Sequence, residues 1–262
     1  MLPLSSRIDI AMPILTETHL TEIAMAVVEG IPAFNKLLSS LTKAERSALV
    51  DDLEPVALTY GEILYEPGQR IDFVYFPSNS VVSLLTLVDK HQALEVGLVG
   101  NEGMVGIPLA LGITVSPVRA LVQGTGDALR MKAARFVRNL RQVPSLQREM
   151  QRYTFALMSQ IQQTAACNRF HVVEERLARW LLMTHDRVQV NEFELTQEFL
   201  SHMLGVRRVG VTKAARALQA RNLIHYSRGH ITIVDRKGLE AASCSCYELV
   251  KKSFNNAQSP GR

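Results

Sequence analysis

From Val56 to Met131 the chain is a series of short apolar runs cut by turn residues, and from Ala133 onward its apolar residues recur at helical spacing. A chain that carries both periods has to build a β-rich unit first and a helical unit after it. The runs are Ile63–Tyr65, Phe73–Phe76, Val81–Val88, Leu94–Val99, Val118–Val122 and Ala128–Met131. Pro67-Gly68, Pro77-Ser-Asn79, Asp89-Lys90, Gly100-Asn101 and Gly124-Thr-Gly126 separate them. Many short strands at this spacing predict an all-β barrel or sandwich. Met104–Leu111 interrupts them as an apolar insert, read as a short helix. Ahead of the strands, Thr42 with Glu45 three residues on predicts a capping box for a helix over Leu41–Val50. Thr21–Val28 reads as a short amphipathic helix ended by Gly30-Ile-Pro32.

Beyond Ala133, Leu146, Met150, Tyr153, Leu157 and Ile161 repeat at four, three, four and four residues, a narrow apolar seam with Pro144 marking its start. A seam this narrow, leading out of a β unit, predicts a homodimer paired through this helix. Val173, Leu177, Trp180, Leu181 and Thr184 form the face of a further helix, with Trp180 in a core. The residues after Phe254 read as a polar, frayed tail.

With 262 residues, 47% hydrophobic and 21% charged, the chain can bury two cores and is not a disordered polymer. No apolar run reaches the roughly 20 residues that cross a bilayer, and Asp9, Glu17 and Glu22 break up any signal peptide, so a cytoplasmic protein without a membrane partner is expected. The formal charge of +4 is unevenly spread: residues 1–134 hold 9 Lys/Arg and 15 Asp/Glu, net −6, whereas residues 135–262 hold 20 and 10, net +10. A basic C-terminal half calls for a polyanionic partner. Cys167, Cys244 and Cys246 are too few and too widely spaced for a disulfide framework. Cys244-Ser-Cys246 lacks a second ligand pair at useful spacing and is read as two ordinary thiols, with no metal expected.

Residues 195–234 are the most informative. Thr196 caps a helix whose buried face is Phe199, Leu200, Met203 and Leu204; Gly205 ends it in a tight turn. A second helix follows, with Val211, Ala214, Ala215 and Leu218 inward. At about 100° per residue, Arg208, Thr212, Lys213 and Arg216 fall on the opposite arc, with Arg207 at its N-terminal edge. Between Gly205 and Lys237 the one acidic residue is Asp235. A major groove admits one helix, arginine matches guanine O6 and N7, and lysine suits phosphates. Leu223-Ile-His-Tyr226 and His230-Ile-Thr-Ile-Val234 flank Ser227-Arg-Gly229 as a hairpin with Arg228 at its tip. Helix, glycine turn, basic helix and basic hairpin together make a winged helix-turn-helix. The predicted DNA-contacting set is Thr196, Arg207, Arg208, Val209, Thr212, Lys213, Arg216 and Arg228.

Here the chain resembles the Crp/Fnr family, named for the cAMP receptor protein and the anaerobic regulator, collinearly from about residue 35 to 240. Leu195-Thr-Gln-Glu-Phe-Leu-Ser-His-Met-Leu-Gly-Val-Arg-Arg208 is similar to its helix-turn-helix, and Gln219-Ala-Arg-Asn-Leu-Ile224 with the hairpin to its wing. Tyr65-Glu-Pro-Gly68 and Asn101-Glu-Gly-Met-Val-Gly106 stand where its cyclic-nucleotide-binding-like barrel has a glycine turn and a ligand loop. The resemblance implies an α+β chain with an N-terminal double-stranded β-helix (jelly-roll) barrel, a long dimerisation helix and a C-terminal winged helix-turn-helix. It divides the chain into an extension over 1–34, a sensory barrel over 35–142, a dimerisation helix over 143–169, a DNA-binding domain over 170–242 and a tail over 243–262. It further implies a homodimer on a palindromic site of double-stranded DNA, with ligand binding reorienting the reading heads, and leaves RNA polymerase open as a further partner.

Several family residues are absent. Val118 and Arg119 replace the Arg-Ser or Arg-Thr pair that grips a cyclic-nucleotide phosphate, and a one-residue shift along a strand turns Arg119 to the opposite face. Glu102 keeps the place of the ribose-binding carboxylate, so Glu102, Gly103 and Arg119 are the candidate effector pocket, although the broken pair speaks against a cyclic nucleotide. No cysteine precedes Cys167, which excludes the iron–sulfur branch, and His91 is read as a surface histidine rather than a haem ligand. In the recognition helix Arg208 matches the guanine-reading arginine, Val209 replaces a glutamate and Lys213 a later arginine, which predicts an altered half-site. An enzyme is the competing class, but no phosphate-cradling glycine loop, His-Glu-x-x-His or nucleophile elbow occurs. A cyclic-nucleotide-binding module acting on a protein partner is the other alternative; it leaves the basic helix unexplained.

Overall fold

A computed structural model describes residues 35–88 and 93–258. The extension over 1–34, with the helix expected over Thr21–Val28, and His91 lie outside the described residues. The chain opens with two short helices, α1 (Lys36–Ser39) and α2 (Lys43–Leu49). Thr42 and Glu45 make the expected capping box at α2, each side chain accepting from the other residue's backbone N–H.

Seven strands follow: β1 (Glu54–Leu58), β2 (Ile63–Tyr65), β3 (Phe73–Pro77), β4 (Val81–Leu87), β5 (Ala93–Val99), β6 (Arg119–Gly124) and β7 (Gly126–Lys132). They form two antiparallel sheets, β1-β7-β3 and β2-β6-β4-β5. Alternation places Val74 and Phe76, Ala120 and Val122, and Leu129 and Met131 in the core. The short helix expected in Met104–Leu111 is a 3₁₀ stretch over Ile107–Leu111. This is the β-rich unit of a mixed α+β chain with its helix-turn-helix at the other end.

Helix α3 (Ala133–Gln142) folds back on the sheets through Phe136, and α4 (Pro144–Phe170) runs on from it with Pro144 in its first turn. The seam Leu146, Met150, Tyr153, Leu157 and Ile161 does not face outward. Leu146, Met150, Tyr153 and Leu157 are buried within the chain and Ile161 is half-buried against the same core. Gly97 packs under Leu157 and Ile161, and Gly103 directly under the Tyr153 ring. Gln160 completes the attachment: β5 is an edge strand, and the Gln160 amide accepts from Leu98 N at 2.7 Å and donates to Leu98 O at 3.2 Å. The predicted dimer seam is therefore the surface that docks α4 on its own sheets. The exposed stripe of α4 is a different one, Gln151, Phe155, Met158, Gln162 and Ala165, again spaced four, three, four and three.

Helix α5 (Val173–Val188) buries Leu177, Trp180, Leu181 and Thr184, as its spacing predicts. Then come β8 (Glu192–Glu194), α6 (Gln197–Leu204), α7 (Arg208–Ala220), β9 (Ile224–Ser227), β10 (His230–Ile233), α8 (Arg236–Ala242) and α9 (Cys246–Gln258). The last helix corrects the expectation of a tail from 243 and continues past Phe254, where a frayed end was expected, to Gln258. Tyr247, Val250 and Phe254 are buried, Phe254 lies 6.3 Å from the Tyr153 ring, and Gln258 donates to Glu102 O. A polar outer face hid this helix in the sequence. Cys244 and Cys246 are likewise not isolated thiols: both are buried beside Cys167, with Cys167 Sγ 3.5 Å from Cys244 Sγ. None of the described helices is long and apolar enough to cross a membrane.

Candidate nucleic-acid interface

Thr196 begins α6, its hydroxyl accepting from Phe199 N at 3.1 Å. Gly205 ends it at φ 59°, a torsion that favours glycine, and a Cβ there would press on Leu94 Cδ1 at 2.6 Å. Helix α7 buries Val211, Ala214, Ala215 and Leu218, and the two alanines let it approach α5 and α6 closely. Its outer side carries Arg207, Arg208, Val209, Lys213 and Arg216, all exposed. Among the described residues, none of these basic side chains is held in an ion pair; Arg221, further on, is bound to Glu174 at 3.0 Å. Arg207 is the N-cap of α7 and offers no side-chain cap, leaving the helix start bare.

Thr212 lies between the two helices of the motif. Its hydroxyl donates to Gln197 Oε1 at 2.7 Å, clamping α7 to α6. The three-stranded wing, in the order β8-β10-β9, turns at Arg228 and Gly229, with φ 49° and 87° and Ser227 opposite His230. Two successive positive φ values in a two-residue hairpin loop define a type I′ turn, which holds Arg228 at the tip. Tyr226 N donates to Gln219 Oε1 at 2.6 Å and Tyr226 Oη to Leu195 O at 3.0 Å, fixing the wing to α7 and to the start of α6. Strand β8 and the contacts made by Gln197, Gln219 and Tyr226 are not legible in the sequence, because they run across the motif rather than along it.

This module rests on the β unit. Tyr60 and Trp180 both meet the Phe199 ring of α6, at 6.0 and 6.4 Å, and Ser83 Oγ lies 3.8 Å from Met203 Sδ. Glu95 on β5 is buried and accepts from Ser83 Oγ at 2.6 Å and Trp180 Nε1 at 3.0 Å. Burial pushes its carboxyl up to about 7, against the opposing pull of those two donors and of Arg179 and Arg187. Glu102 and Arg187 form a buried ion pair at 2.7 Å, with Arg187 Nη1 also donating to Met183 O.

The candidate effector residues do not converge. The Glu102 carboxylate is engaged by Arg187, Gly103 is covered by Tyr153, and Arg119 pairs with Glu66 at 2.9 Å. The strand period explains the separation: Ala120 and Val122 take the inward positions of β6 and turn Arg119 to the outer face.

Residues 175–242 match the Crp-like helix-turn-helix domain family. No curated protein matches the chain in sequence. Among solved structures, a Crp/Fnr-family protein from Eubacterium rectale is 19% identical, with a TM-score of 0.62 over 79% of this chain and 96% of its own. FixK2 from Bradyrhizobium japonicum is 14% identical, with a TM-score of 0.63 over 74% and 98%. The c-di-GMP responsive global regulator CLP of Xanthomonas campestris is 18% identical, with a TM-score of 0.54 over 73% and 99%. The basic two-helix motif and its wing are thus a Crp-like helix-turn-helix domain, on a chain with the fold of the Crp/Fnr regulators.

Proposed function

We propose that this chain is a cytoplasmic, sequence-specific transcription regulator that binds DNA as a homodimer and catalyses no reaction. The carrying observation is the exposed, unpaired arc Arg207, Arg208, Lys213 and Arg216 on a helix whose N-terminus lacks a side-chain cap. A bare helix start attracts phosphate, and its first residues meet base edges when the helix lies in a major groove. Arg207, Arg208 and Val209 read bases in this account, Val209 through a thymine methyl. Lys213, Arg216 and Arg228 hold phosphates, and Thr196 and Thr212 position the pair of helices. Thr212 reaches DNA only if it leaves Gln197.

The homodimer pairs through the stripe Gln151, Phe155, Met158, Gln162 and Ala165, which supports it by heptad-like spacing and by exposing Phe155 at 65% and Met158 at 54%. Two reading heads then sit about 34 Å apart, in successive major grooves of a palindromic site. The β unit modulates DNA binding through its grip on α6 at Phe199, Met203 and Gly205. An effector, a cyclic nucleotide included, acts by altering that grip, and RNA polymerase is the partner a bound activator would touch.

Selection of duplexes from a random pool, at several salt concentrations and without added ligand, tests this reading. A two-fold symmetric motif whose affinity falls steeply with salt supports it. Binding that is indifferent to sequence and to salt rejects it and points to a protein partner.

A further inference from the structure

We propose that Cys167, His171, Cys244 and Cys246 form a tetrahedral binding site for one thiophilic divalent cation, of which zinc is the best match. Their ligand atoms all lie within 4.8 Å of one another. Cys167 Sγ stands 3.5 Å from Cys244 Sγ, and Cys246 Sγ 3.4 Å from His171 Nδ1. Around an ion with bonds of about 2.3 Å to sulfur, tetrahedral geometry sets neighbouring sulfurs about 3.8 Å apart. The four groups thus already stand at the spacing that a single ion imposes. The space between them is too tight for a multi-iron cluster, whose own atoms must fit among the thiolates.

The local sequence explains the geometry. Cys167 lies in the last turn of α4, and His171 is the C-cap residue just beyond it, its N–H bonded to Cys167 O at 3.1 Å. Cys244 and Cys246 flank Ser245 where the chain bends out of α8 into α9, so both sulfurs turn back to that helix end. One helical turn before Cys167, Gln163 Nε2 donates to Cys246 Sγ at 3.0 Å, the kind of outer contact that orients a thiolate ligand. The three cysteines form a buried cluster of their own, separate from the aliphatic core.

Charge supplies an independent argument. Arg176 and Arg179 on α5 are each 6% exposed. Neither is in an ion pair with a carboxylate among the described residues, and the Nε of each has no hydrogen-bond partner. Arg179 Nη1 donates to Thr164 Oγ1 at 3.4 Å and Arg176 Nη2 to Asn168 Oδ1 at 2.7 Å, the residues that flank Cys167 on α4. Two buried cations beside three neutral thiols are poorly compensated. A divalent ion with three thiolates and a neutral imidazole carries one negative charge and offsets one of the two. The ion fastens the end of α4 to the segment that follows the wing, across the joint where α4 gives way to α5. The site stands whether or not the chain regulates transcription.

The test uses the full-length chain, reduced and stripped by a chelator under anaerobic conditions, then titrated with Co²⁺ and afterwards Zn²⁺. One equivalent of cobalt is expected to bring up the intense visible bands of tetrahedral, thiolate-bound Co²⁺, and zinc to bleach them. Cys167→Ser and Cys246→Ser are expected to abolish the bands. Gln163→Leu, which leaves all four ligands and the fold in place, is expected to weaken binding by about tenfold to a hundredfold. Zinc is expected to raise the melting temperature of the native chain and not that of Cys246→Ser. Cobalt bound far below one equivalent, weak octahedral bands, or bands that survive both serine variants would overturn the proposal. So would a Cys167–Cys244 disulfide found by mass spectrometry in the chain that takes up no metal.

Discussion

Replacing Glu95 with glutamine removes a buried carboxyl at the centre of the contact between β4, β5 and the helices α5 and α6. In the folded chain burial opposes ionisation, and the carboxyl is pushed from an ordinary 4.5 up to about 7. The groups facing it work the other way: Ser83 on β4 and Trp180 on α5 donate to it, and Arg179 and Arg187 on α5 attract its charge. Because the folded value is raised, the native state holds the proton more tightly than the unfolded chain does. Its contribution to stability is complete below about pH 4.5 and is lost as pH rises through about 7. Going from about pH 5 to about pH 8.5, with 1.36 kcal/mol per unit, the loss is about 2.5 kcal/mol. Urea unfolding of the native chain and of Glu95→Gln across this range measures it, since the difference between the two cancels all other titrations. The native chain is expected to lose about 2.5 kcal/mol relative to the variant as pH rises. A difference that stays flat would refute the reasoning. A difference that moves in the native chain's favour would show that Trp180, Ser83 and the two arginines outweigh burial.

Arg208→Ala is expected to relax base preference at one position of each half-site, at about 1–3 kcal/mol for the preferred sequence, whereas Lys213→Ala weakens binding to all sequences; competition binding on a panel of duplexes separates the two. Phe155→Glu is expected to leave thermal stability nearly unchanged, the ring being 65% exposed, and to yield a monomer by sedimentation; a dimer that persists sinks the proposed pairing stripe. Arg228→Asn keeps a residue that tolerates the left-handed turn, so stability should hold or rise slightly, while the slope of log affinity against log salt falls by about one.

The local features of this chain were legible. The Thr42–Glu45 box, the strand runs, the inward faces of α5, α6 and α7 and the Arg228-Gly229 turn all depend on residues within a few positions of each other. The failures share a cause of the opposite kind. Helix α4 has two stripes of similar spacing, and periodicity reports that a stripe is covered without saying by what. The more apolar stripe went to the chain's own sheets, and the stripe with Phe155 and Met158 was left outward. Cys167 and Cys244 lie 77 residues apart and Glu102 and Arg187 lie 85 apart, so no spacing rule links them. The candidate pocket failed for the same reason, because the partner that occupies Glu102 comes from a helix much further along the chain.

The Glu102–Arg187 pair also bears on the order of events during synthesis. Arg187 leaves the ribosome 85 residues after Glu102, an interval of about 4–17 s at roughly 5–20 residues per second. The sheets and α3 are complete well before then. Through that interval Glu102 has the Gly100 N–H, at 3.3 Å, but no counter-ion, and Glu95 lacks the indole that Trp180 will bring. The later helices bring the remaining partners of these two carboxylates, and in docking they exclude water from them. A nascent chain arrested before Trp180 would present both groups, together with the apolar strip around Leu94, to the solvent and to other nascent chains.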